Sequence, residues 1–62
     1  MSFVRFAGQY WYNSGLNDYR GWFDLWSLSE DGVGVTAEPS KVRPAEPHQI
    51  KAINWFLEKG LL

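Results

Sequence analysis

Residues 3–12 gather aromatic and β-branched side chains, and no 3.6-residue stripe separates their apolar from their polar positions, so they predict a strand. Asn13-Ser14-Gly15-Leu16-Asn17-Asp18 then concentrates residues that tolerate left-handed or self-capping backbone, which predicts a loop. Residues 19–28 are again aromatic-rich and predict a second strand, with Gly21 as a bulge or a point of close approach. Asp31-Gly32 is a strong hairpin signal, and residues 33–37 follow as a short third strand. Pro39 and Pro44 make residues 38–46 an extended connector without central pairing. Pro47 suits the first helical position, where its missing N–H has no intrahelical partner, and good helix formers continue to Lys59. Gly60 is placed as the left-handed residue after the helix, with Leu61 next to it able to meet Phe56 in a Schellman arrangement.

The expected fold is therefore α+β: one domain over residues 1–62, a three-stranded antiparallel β-meander followed by one C-terminal α-helix packed on one sheet face. A strand sends alternate side chains to opposite faces. With residues 3–12 as one strand, Val4, Phe6, Gly8, Tyr10 and Tyr12 share a face, and Phe3, Arg5, Ala7, Gln9 and Trp11 share the other. The second strand divides into Phe23, Leu25 and Ser27 against Trp22, Asp24, Trp26 and Leu28. The preferred arrangement puts the two uncharged faces under the helix and leaves Trp11, Trp22 and Trp26 outside beside Arg5, Arg20 and Asp24. The Asp31-Gly32 turn leaves a choice: a two-residue turn sends the valines of the third strand to the tryptophan face, and a longer one reverses this. Under either register, one helix shelters one side of a thin sheet, so some large aromatics remain outside. On the helix, Ile50, Ile53 and Leu57 form the apolar stripe while Trp55 points nearly opposite.

Composition sharpens this surplus. Four tryptophans, three tyrosines and four phenylalanines in 62 residues are far more ring area than a chain this short commonly buries. A domain of this length removes only about 60% of its unfolded surface from water, and without cysteine it has no disulfide to help it. Dense packing or a partner is what remains. The net charge of −1 supplies no general field for phosphates or an anionic membrane, and no apolar run approaches the roughly 20 residues that span a bilayer. With no basic-then-apolar leader pattern, the expected location is the cytoplasm.

Sharper chemistry finds no anchor. His48 is the single histidine, so neither a metal site nor a nucleophile with its base can be assembled around it. Asp24 lies mid-strand between two tryptophans and is read as the cross-strand partner of Arg5 or Arg20 in preference to a catalytic acid. Gly32-Val33-Gly34 is followed by a strand and prolines, not by a helix N-terminus that holds phosphate. No enzyme, cofactor or metal is expected. The leading expectation is a small protein-binding module, an inhibitor or accessory subunit that docks on a larger partner or pairs with itself, through Trp11, Trp22, Trp26, Arg5, Arg20 and Trp55. Size alone makes a phage-type or mobile-element accessory protein one such role. The alternative, from a different class, is an aromatic platform for single-stranded nucleic acid, with Arg5, Arg20, Lys41 and Arg43 on the phosphates.

Overall fold

In the computed structural model, which describes residues 2–29 and 31–61, the chain forms five antiparallel strands and a C-terminal helix. These are β1 (Ser2–Phe6), β2 (Gln9–Leu16), β3 (Phe23–Ser27), β4 (Gly34–Ala37), β5 (Arg43–Pro44) and α1 (Pro47–Glu58). Across the sheet the order is β4-β3-β2-β1-β5. The expected three-stranded meander is thereby corrected in two places.

The first is Ala7-Gly8. Both residues have positive φ, 53° and 76°, which is the backbone of a two-residue hairpin turn whose twist matches the flanking strands. The anticipated single strand over residues 3–12 is two strands, paired Val4↔Trp11, Arg5↔Tyr10 and Phe6↔Gln9. Folding the segment back on itself exchanges the faces of its second half. Trp11 therefore joins Val4, while Tyr10 and Tyr12 join Arg5 and Phe3.

The second is the connector. Arg43 and Pro44 pair with Arg5 and Val4 on the outer edge of β1, and an edge is where a proline without an N–H can be accommodated. Since β4 and β5 occupy opposite edges, residues 38–42, with a short 3-10 helix over Pro39–Lys41, must cross one face of the sheet. Val42 marks which face: it packs, with Phe6, Phe23 and Val35, against the buried cluster of Val4, Trp11, Leu25 and Ala37. The core is thus roofed by this crossing link, and no residue of that cluster comes from the helix. This corrects the expectation of a helix laid over the uncharged face.

The segment expected as a loop over residues 13–18 extends β2 to Leu16. Asn13 pairs with Leu25 and Gly15 with Asp24, leaving Ser14 as the extra residue of a bulge. The buried Asn13 is satisfied there, its Oδ1 accepting the Gly15 N–H at 2.9 Å. Between β3 and β4 the register is Leu25↔Val35 and Phe23↔Ala37, so the loop is longer than a two-residue Asp31-Gly32 turn and Val35 falls on the core side. Glu30, within that expected turn, lies outside the described residues, as do Met1 and Leu62.

The helix begins as the sequence indicates. Pro47 is at its first turn, and Glu46 and Gln49 form a reciprocal capping box. It ends in a Schellman motif, with Gly60 at φ 69°, Leu61 N–H donating to Phe56 O at 2.9 Å and Gly60 N–H to Leu57 O at 3.2 Å. Its one buried side chain is Ile53. It meets the sheet around a groove of about 460 Å³ whose apolar lining includes Tyr10, Leu28, Ala52, Ile53 and Phe56.

Candidate functional site

The face of the sheet turned away from the core carries two ordered rows. Gly34, Trp26, Tyr12 and Phe3 stand in direct register across β4, β3, β2 and β1. Two residues further along, Tyr10, Arg5 and Arg43 do the same across β2, β1 and β5. Neighbours in such rows stand only about 4.5–5.5 Å apart at the backbone, so their side chains form continuous surface. Phe3 meets Tyr12 edge-on at 6.1 Å between ring centroids, and the Arg5 guanidinium stands over the Tyr10 ring at 5.5 Å. Trp26 and Tyr12 remain exposed, at 48% and 38%.

The turn between β2 and β3 continues this surface. Asn17 organises it: its Oδ1 accepts the N–H groups of Tyr19 (2.7 Å) and Arg20 (3.2 Å), and its Nδ2 donates to Asp24 Oδ1 at 3.2 Å. The Asn17 N–H closes the turn on the Trp22 carbonyl. Arg20 is held between two rings, 5.3 Å from the Tyr19 centroid and 5.4 Å from that of Trp22. Trp22 and Arg20 line a shallow recess with Thr36, which shares the outer face with Asp24 by register. Trp22, Trp26, Asp24, Arg20 and Arg5 are thus distributed over one side of the molecule.

Two residues expected to join them do not. Trp11 lies in the core, 7% exposed, with its indole N–H donating to the Phe6 carbonyl at 2.9 Å. A buried tryptophan needs such a partner for its one polar atom, and here the neighbouring turn supplies it. Trp55 is on the helix, half exposed, in edge contact with Phe56 at 5.3 Å between centroids. Phe56, Leu57 and Leu61 near it in the chain are exposed as well. Tyr10, Tyr12, Tyr19 and Phe3 were not singled out from the sequence, although a turn placed at Ala7-Gly8 brings Tyr10, Tyr12 and Phe3 to the outer face at once.

Asp24 accepts from Asn17 and makes no ion pair with Arg5 or Arg20 among the described residues, so the expected cross-strand pairing is replaced by a turn hydrogen bond. His48 lies 3.5 Å from Glu46 in an exposed first-turn contact. The carboxyl of Asp31 is held below the ordinary aspartate range, chiefly by the Val33 N–H that donates to it at 3.0 Å and by the Ser29 hydroxyl. Among the described residues no group of three or more histidines or carboxylates converges in a way that holds a metal ion, and no helix is long and apolar enough to cross a membrane. Comparison of the chain with protein-family models, curated proteins and solved structures finds no match.

Proposed function

We propose that the chain is a small non-enzymatic protein-binding module, an accessory subunit or inhibitor that docks on a larger partner, or on a second copy, through the outer sheet face. The observation that carries this reading is the exposed Trp26–Tyr12 pair set in register across the sheet, with Arg5 and Arg43 in the adjacent row. Tryptophan, tyrosine and arginine are the types that dominate binding energy at protein interfaces, because each combines large contact area with a polar or charged tip. The rings are held by the sheet, so little conformational freedom is lost when a partner covers them.

Light scattering on the purified chain, together with affinity capture using wild type, Trp26→Ala and Trp55→Ala, tests it. The sheet-face reading requires that self-association or a captured species depend on Trp26, whereas dependence on Trp55 alone moves the contact to the helix. A monomer that captures nothing removes the proposal.

A second reading, single-stranded nucleic acid, draws support from the Tyr10–Arg5–Arg43 row beside exposed rings that could stack on bases. Against it, Asp24 interrupts the face between Arg20 and Arg5, and the chain carries a net charge of −1. A strand of regularly spaced phosphates favours a continuous basic track. Titration with an oligonucleotide at two salt concentrations separates the readings, since phosphate binding weakens steeply with salt.

A further inference from the structure

Arg5 and Arg43 stand directly opposite each other on β1 and β5, and among the described residues neither has a carboxylate within ion-pair distance. Like charges placed opposite across a strand pair repel, so this is an arrangement that folding alone does not favour. Both side chains are exposed and share the outer face with Tyr10. The next row along holds Tyr12 and Trp26.

Resting on the docking reading above, we propose that this arginine pair is the anion subsite of the docking face, and that the occupant is an acidic segment of a protein partner: a carboxylate seated between Arg5 and Arg43, with adjoining apolar residues over Tyr12 and Trp26. Three features support the proposal. A guanidinium offers a planar fork of donors that matches the two oxygens of a carboxylate, and two such forks side by side give one anion more donors than a single arginine does. The bound anion also removes the repulsion between the two cations. The two opposed cations lie on one side of the Tyr12–Trp26 row and Asp24 on the other, where Arg20 is stacked on Tyr19 and Trp22. That pattern fits a ligand charged at one end and apolar beyond it, and a phosphate chain charged along its whole length would meet Asp24.

The test is a two-dimensional NMR titration of the intact chain with two probes, a hexaglutamate peptide ending in Leu-Trp-amide and a ten-residue oligothymidylate, repeated on the double variant Arg5→Gln/Arg43→Gln. Both positions are exposed, and replacing the two opposed cations relieves their repulsion, so the variant is expected to keep its fold and to melt no lower than wild type. The proposal expects the peptide to shift the Arg5 and Arg43 side-chain resonances and the amides around them. It also expects apparent affinity to fall at least tenfold in the double variant and at 0.3 M NaCl. Equal binding of the peptide by wild type and the double variant overturns the anion subsite while leaving a docking face intact, provided Trp26→Ala still abolishes it. Tighter binding of the oligothymidylate than of the peptide overturns the choice of a protein ligand. No shift with either probe overturns the subsite, whatever the capture experiments on Trp26 return. A double variant that melts well below wild type shows the pair to be structural and overturns it too.

Discussion

The indole ring of Trp26 rests against the bare backbone of Gly34: a Cβ on Gly34 would stand 2.9 Å from Trp26 Cζ3 and 3.0 Å from Cε3. Gly34 begins the edge strand β4, so the missing side chain is what lets the ring settle onto the margin of the sheet. Gly34→Ala is expected to push the ring outward, move the Trp26 indole N–H resonance, and cost about 1 kcal/mol in urea unfolding. An unmoved resonance with unchanged stability would show that the ring is free to lie elsewhere.

Ala7 and Gly8 give a prediction of opposite sign. Ala7 holds φ 53°, a left-handed conformation that an alanine adopts at a cost of about 1–2 kcal/mol relative to its right-handed form. Ala7→Asn supplies the residue preferred at this turn position and is expected to raise stability by roughly 0.5–1 kcal/mol. Gly8→Ala, at φ 76°, is expected to lower it by about 1 kcal/mol although no atom obstructs the new methyl. Chemical denaturation of both variants checks the pair, and the same sign for both would contradict the turn.

Trp11 and Trp26 should respond differently to one substitution. Trp11→Phe removes the donor to the Phe6 carbonyl and part of a core ring, so a loss of about 1–3 kcal/mol is expected. Trp26→Phe, on the exposed face, is expected to change stability by about 0.5 kcal/mol or less. Equal losses in urea unfolding would contradict the division of the two rings between core and surface.

Asp31 supplies a pH dependence. Its folded carboxyl titrates below the ordinary aspartate value because the Val33 N–H and the serine hydroxyls favour the ionised form. Ionised Asp31 therefore stabilises the turn. That contribution is complete above the unfolded-state value and is lost as pH falls through the lower folded-state value. An NMR titration should show the Val33 amide moving with an apparent midpoint below that of an unstructured aspartate, and the movement should vanish in Asp31→Asn. Because the group is exposed, the effect is expected to be local and not to unfold the domain.

Local chemistry was readable where a residue type permits one backbone shape. Pro47, Gly60 and the run of helix formers between them placed α1 to within a residue of Pro47–Glu58. The alternation Phe23-Asp24-Leu25-Trp26-Ser27 divided β3 correctly, with Leu25 on the core side and Trp26 outside. What the sequence hid was the turn at Ala7-Gly8, since alanine carries no left-handed signal and the apolar run continues through it. That single turn decided the face of β2 from Gln9 to Asn13, before the bulge at Ser14. It sent Trp11 inward and brought Tyr10 and Tyr12 beside Arg5. The pairing of Arg43 and Pro44 with β1 was hidden for another reason: the proline argued against a strand, and only a long-range contact with the edge of β1 overrides it. The bulge at Ser14 also depends on tertiary pairing, which carried β2 into the loop that Asn13 and Gly15 indicated.

The docking face itself is tested most directly by oxidative footprinting of Trp26 and Tyr12 in the free chain and in its captured or self-associated complex. Both rings should be modified readily when free and become protected at least severalfold on association, while Trp11 stays protected throughout. Equal modification of Trp26 and Tyr12 in the two states would mean that the partner sits elsewhere and that the exposed row is not what it binds.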